Sequence, residues 1–418
     1  MSTCRLPRRY ELVKNKARLY YSSGMERKFR SAFFFIYTAV FINIVAFTLV
    51  FPLLPVYAKQ YNASDTTIGI LAASFAIGQL LFSPLWGTLS DRFGRKPIIS
   101  WGLLGMTGGF LLFAVAPGLP ALFGARFLQG VFSAATLPAA RAYIADITTP
   151  AERVDKLGKL GAALSLGVIL GPAIGGLLAG ISFQLPFLAA SAVAFLNFFF
   201  VWRFLPESIK AKTGHILSFK VMFSQFGNLW RGLKSSLAPL FILSFIWSFS
   251  LSNIQVATPL LGLERFNMGT EGIGLFFAVF GAFSAFVQFF MLSAITSRLG
   301  QHTTVIAGLL TMALGFTLMP FLPPAVLLFY ATGILVGIGS AASRPIITAL
   351  ISEETPAGQG TTMGIANAFE SMGRLVGPLL AGALFALAPF APFAFSGFVV
   401  LATVLGVLLF TPFLKHRI

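Results

Sequence analysis

Five ionisable side chains stand inside stretches that are otherwise apolar, and they define the chemistry open to this sequence: Glu370, Arg374, Arg126, Arg141 and Arg344. Glu370 precedes Arg374 by four residues, the favourable order for an acid and a base on one helical face. Arg126, Gln129, Ser133 and Thr136 follow one another at steps of three, four and three, which also gathers them on one face. A charge at the centre of an apolar span costs at least about 2.5 kcal/mol, so these residues should face protein or a wet cavity and not lipid. Two roles stay open for Glu370, a structural ion pair and a proton-carrying site. Arg126 could either pin neighbouring helices through backbone carbonyls or line a cavity.

Hydrolytic, metal and redox chemistry have no matching pattern. Cys4 is the single cysteine, and His215, His302 and His416 all fall in connecting or terminal segments, so no disulfide or metal site is expected. No GxxxxGK[ST] loop is present to hold a nucleotide phosphate. The expectation is a protein that is not an enzyme and needs no cofactor. A formal charge of +17 would suggest nucleic acid in a soluble chain, but here the placement of the basic residues matters more than their sum, and no nucleic-acid partner is expected.

The elements that carry these residues follow from composition. The 418-residue chain is 56% hydrophobic and 10% charged, with a mean hydropathy of +0.84, outside the range of soluble domains. Apolar runs of spanning length recur at about 33–58, 67–89, 97–116, 119–145, 157–180 and 184–204, then at 238–261, 271–294, 303–321, 324–351, 361–387 and 390–413. The reading is an all-α membrane protein of twelve transmembrane helices in two pseudo-symmetric six-helix bundles. It divides into a basic tail (1–32), a first bundle (33–204), a linker (205–237) and a second bundle (238–414). The tail is read as cytoplasmic; its Arg-rich, acid-poor character also fits an organellar transit peptide, and Met25 is an alternative start. With the N-terminus in the cytoplasm, 24 of the 30 Lys and Arg lie on cytoplasmic segments, which puts both termini inside.

One turn stands out between the second and third runs, GTLSDRFGRKPII at Gly87 to Ile99, where Asp91, Arg92, Arg95 and Lys96 gather around Gly94. A positive anchor accounts for Arg92 and Lys96 but not for Asp91. Sliding the chain by 206 residues sets Arg92 on Arg298, Gly94 on Gly300, Thr149-Pro150-Ala151 on Thr355-Pro356-Ala357 and Gly171-Pro172 on Gly377-Pro378. One register for four pairs argues for a duplicated six-helix unit, an architecture of alternating-access transport.

With GTLSDRFGRKP at its second-to-third turn, ARFLQG in the fourth run and GVILGPAIGG in the fifth, the chain resembles the major facilitator superfamily over about residues 33–413, and within it the drug and proton antiporters of the multidrug and tetracycline type. The resemblance implies that Asp91 caps the start of the eleventh helix and that Arg95 pairs with Asp146, forming a latch between bundles with Gly87, Arg92, Gly94 and Lys96. It implies that Arg126 assists ion coupling, and Glu370 with Arg374 are the further candidates. Gly167, Gly171, Pro172, Gly175 and Gly176, echoed by Gly377 and Pro378, would allow close helix contact. Where antiporters of this kind carry an acid in the first helix, this chain has Asn43, which cannot exchange a proton; if coupling is to protons the carrier stands elsewhere, with Glu370 the first candidate, and otherwise coupling uses another ion or is absent. The first, fourth, seventh and tenth helices are expected to line the cavity with Asn43, Gln129, Ser133, Trp247, Asn253, Gln255 and Arg344. Such a cavity suits a lipophilic or amphipathic substrate. The implied function is a secondary active exporter of a lipophilic or drug-like small molecule, driven by proton antiport and working as a monomer in the plasma (inner) membrane. An uptake carrier, a uniporter, a flippase-like protein or a non-transporting sensor of the same fold are the alternatives.

Overall fold

A computed structural model describes residues 23–50, 52–208, 223–353 and 359–414. Most of the basic tail, the middle of the linker and the Thr355-Pro356-Ala357 copy lie outside the described residues. The described chain is helical, without strands. The first half comprises α1 (Ser23–Leu49), a short α2 (Leu54–Gln60), α3 (Asp65–Phe93), α4 (Arg95–Ala114), α5 (Leu119–Ile147), α6 (Pro150–Ile181) and α7 (Leu185–Phe204). A linker helix, α8 (Ser224–Leu233), leads to the second half. This contains α9 (Ala238–Phe266), α10 (Thr270–Phe286), which runs through a π-turn at Val287–Met291 into α11 (Leu292–Leu299), then α12 (Gln301–Leu318), α13 (Val326–Glu353), α14 (Gln359–Leu387) and α15 (Ala391–Leu414).

Ten of these segments are long and apolar enough to cross a membrane, and α5 and α15 occupy the places of the remaining two expected spans. The 29 residues of α3 make about 43 Å of helix at roughly 1.5 Å per residue, more than the roughly 30 Å of a hydrocarbon core. Outward-facing Phe195, Phe290, Leu327 and Leu405 leave a greasy exterior that suits lipid. The first expected run does not form one helix: α1 stops at Leu49, and α2 begins only after the Phe51-Pro52 step, with Pro55 in its first turn, where a missing N–H costs nothing.

The helix starts repeat between halves. Gly94 and Gly300 both adopt positive φ (108° and 79°), and each donates its N–H to the residue four before it, Ser90 and Thr296. Asn62 and Asn267 are the two non-glycine residues with positive φ among the described ones (54° and 49°), and each stands just before α3 or α10. Pro84 lies within the continuous α3 at the position where the equivalent helix of the second half has its π-turn.

The halves meet through two seams. Gly69 of α3 lies against Gly382 of α14, where a Cβ would come within 3.0 Å of the opposing Cα. Gly176 of α6 lies against α10, where a Cβ would sit 2.7 Å from the Thr270 carbonyl oxygen and 3.1 Å from the Gly274 Cα. Backbones approach this closely only without side chains between them. Both seams lie toward the face bearing the α2–α3 and α9–α10 connections, here termed the far face. At the opposite face, which carries α8 and the linker, Arg141 of the first half is exposed and the Arg344 side chain of the second is 50% exposed. The glycine seams thus close the bundles at the far face, while these two arginines stay exposed at the linker face.

Candidate functional site

Helix α5 delivers its predicted face intact: Arg126, Gln129, Ser133 and Thr136 are all buried. Arg126 Nη1 donates to Gln129 Oε1 at 3.1 Å, and its guanidinium lies 5.3 Å from the centre of the Phe75 ring. Asn43 donates through Nδ2 to Thr136 Oγ1 at 3.4 Å and so ties α1 to α5.

A second cluster forms on the other bundle. Glu370 Oε2 is 3.2 Å from Arg344 Nη2 on α13 and 3.5 Å from Arg374 Nη1 one turn along α14. Arg374 Nη2 also donates to Ser371 Oγ at 2.7 Å. Trp247 holds the Arg344 guanidinium 4.8 Å from its ring centre and donates its indole N–H to Ser340 Oγ at 3.1 Å. Across the interface, Arg141 of α5 interacts electrostatically with both Arg344 and Glu370.

Between the bundles is a cavity of about 80 Å³. Phe47, Phe75 and Arg126 line it from one side, and Ser252, Gln255, Arg374 and Pro378 from the other. Of the expected cavity residues, Gln255 therefore reaches it directly, whereas Asn253 is turned away and donates to the Pro392 carbonyl at 3.4 Å. Gln129 sits behind Arg126, while Trp247 and Arg344 stand in the Glu370 cluster.

The charged turn is built into the first bundle. Arg95 reaches Asp91 Oδ1 at 2.6 Å, Asp146 Oδ2 at 3.2 Å and Ser90 Oγ at 3.0 Å. Gly87 leaves open space around its Cα, and Arg92 lies over the Phe93 ring at 5.4 Å. Sequence reasoning missed Glu207 of the LPES stretch, whose carboxylate accepts the N–H groups of Arg95 at 2.9 Å and Lys96 at 3.2 Å and so caps α4. Ser208 adds a hydrogen bond to Asp146 at 2.9 Å. The residues just before α14, where Asp91 was expected to act, lie outside the described ones. In the second half Gln301 stands in place of Arg95 and donates to Glu353 at 3.2 Å, a neutral counterpart of the Arg95–Asp146 pair.

The glycine string divides its work. Gly167 and Gly171 face α1, where Cβ atoms would come within 2.8 Å of Ile44 Cγ2 and 2.7 Å of the Val45 carbonyl oxygen. Gly175 packs on Leu49, and Gly176 instead makes the inter-bundle seam. On α14, Gly377 approaches the Phe249 carbonyl of α9, while the Pro378 carbonyl meets Gly69.

The model of the Major Facilitator Superfamily matches residues 36–291 and 240–417, which together span both bundles. The chain belongs to the major facilitator superfamily. Within the superfamily it is 31% identical over 385 residues to multidrug resistance protein 2 of Bacillus subtilis (strain 168), covering 89% of this chain and 93% of that one. It is 31% identical over 367 residues to the class C tetracycline resistance protein of Escherichia coli, covering 86% and 91%. Among solved structures, the human organic anion transporter MFSD10 (TETRAN) shares the fold with a TM-score of 0.69 at 21% identity, over 90% of this chain and 98% of that one.

Proposed function

We propose that this protein is a secondary active exporter of lipophilic or drug-like small molecules, working by alternating access and driven by protons. The observation that carries the reading is a cavity walled by both bundles, sealed on one side by glycine seams and approached from the other. Rocking about those seams exposes the cavity to each face in turn. The names of the relatives, multidrug and tetracycline resistance proteins, support the substrate class. The linker face is cytoplasmic, because Lys and Arg concentrate there, and the protein resides in the plasma membrane as a monomer of two six-helix bundles, 33–204 and 238–414.

Glu370 carries the proton, with Arg126 and Arg374 as its coupling partners. It is the one carboxylate among the described residues more than two turns from either end of its helix. Ionised, it offsets the repulsion between Arg141 and Arg344 across the linker face; protonated, it leaves those cations unopposed and favours the parted state. The cluster Gly87, Asp91, Arg92, Gly94, Arg95, Lys96 and Asp146 serves as the latch of the first bundle. The test is uptake of candidate substrates into inside-out vesicles with and without an imposed pH gradient. Uptake stimulated by an acidic interior is the expected result, and flux that ignores the gradient would remove proton coupling.

A further inference from the structure

Arg126 is 3% exposed, yet no carboxylate among the described residues pairs with it. Its hydrogen bond goes to the neutral oxygen of Gln129, and its Nε, like Gln129 Nε2, is buried with no hydrogen-bond partner. The same cavity is lined by Arg374, whose carboxylate, Glu370, is shared with Arg344. Arg141 adds a fourth guanidinium along the bundle interface. At the cavity itself Arg126 has no carboxylate and Arg374 shares one, and for the buried Arg126 an unmatched charge and an orphaned donor are both costly.

We propose that Arg126 and Arg374 form the headgroup site for an organic anion, a carboxylate, sulfonate or phosphate on an apolar body. The inference rests on the transporter reading and specifies its substrate class. A guanidinium presents forked donors that match an oxyanion, and Arg126, which lines the cavity, has its one hydrogen bond to the neutral Gln129. Phe47, Phe75, Val256 and Pro378 line the same space and receive the apolar body. About 80 Å³ holds a headgroup, whereas a drug-sized ligand takes roughly 300 Å³ or more, so the body extends along the interface toward the linker face. Because Arg126 belongs to one bundle and Arg374 to the other, an anion held by both draws the bundles together.

The test is equilibrium binding to the purified full-length protein in nanodiscs with a matched series: 2-naphthoate and 2-naphthalenesulfonate against 2-naphthylmethanol and 2-naphthylmethylammonium. The anions should bind at least about tenfold tighter than the other two, the lower end of what a charge-assisted hydrogen bond contributes. Arg126→Gln should erase that preference and Arg126→Lys should keep part of it. If Arg126→Gln does not fold, the wild-type series alone decides. Equal affinity for the ammonium or the alcohol overturns the proposal, as does chloride displacing naphthoate at the concentrations at which naphthoate itself binds, which would make the site one for an inorganic anion. Vesicle efflux of an uncharged or cationic lipophile alongside charge-blind binding would leave the exporter reading standing and remove the anion site. A lack of all flux would remove the exporter reading, while the binding series would still decide the anion site.

Discussion

Lys59 Nζ stands 3.5 Å from Glu264, an ion pair that crosses from the first bundle to the second at the far face. Lys59 also holds Asp65 at the start of α3, at 2.7 Å. The crossing lies at the face closed by the glycine seams, so it belongs to the closed state and should break when that face opens.

Glu264→Gln should shift the protein toward far-face opening by at most about fivefold, since exposed pairs contribute roughly 0.2–1 kcal/mol. Burial lowers the proton affinity of Lys59, but Asp65 and Glu264 outweigh it and hold its pKa above the usual lysine value. A raised pKa means the stabilisation is fully present below the unfolded lysine value and is lost as pH rises through the folded one. The shift should therefore be the same across neutral pH and vanish only in strong alkali. Labelling of a cysteine placed near Arg141, followed against pH, reads this directly.

Gly176→Val should lock the far face open. Its side chain would press on the backbone at Thr270 and Gly274, which cannot rotate aside. Transport should fall by an order of magnitude or more (about 1.4 kcal/mol or above), with the protein still inserted. Wild-type flux would show that the seam can part and re-form around a side chain.

Glu207→Ala removes the acceptor for the Arg95 and Lys96 N–H groups and should cost about 0.5–2 kcal/mol at the start of α4. Thermal unfolding should begin earlier, and Glu207→Asp should recover part of the loss. An unchanged melting curve would reduce Glu207 to a bystander.

Asp91→Asn and Glu370→Gln separate latch from coupling. The first should slow flux of every substrate while keeping its response to pH; the second should abolish the response to a pH gradient and spare exchange of substrate for substrate. Full coupling in Glu370→Gln would take the proton away from that residue.

Much of the fold was legible because lipid imposes a coarse code. Runs near 20 residues announced the spans, and Gly94 with Gly300 carried the duplication into matched backbone geometry. Spacing within a helix was also readable, so the face from Arg126 to Thr136 emerged as drawn. Contacts between helices were not. Nothing in LPES marks Glu207 as a cap for a helix more than a hundred residues earlier, and nothing in the seventh run says that Asn253 turns toward Pro392 while Gln255 meets the cavity. Nothing in the sequence joins Lys59 to Glu264, its partner in the other half. The break after Leu49 was hidden because Phe51-Pro52-Leu53-Leu54 continues the apolar run.

The π-turn at Val287–Met291 marks an arithmetic step in the duplication. Upstream of it, Asn267 follows Asn62 by 205 residues and Thr270 follows Asp65 by the same interval; downstream, Gly300 follows Gly94 by 206. One surplus residue has been swallowed as a wider turn, where absorbing it in a regular helix would have swung everything beyond it by about 100°. The second half thus carries one residue more than the first over this stretch, and its helix accommodates it. Deleting one residue from Val287–Met291 should be far better tolerated than the same deletion a turn to either side.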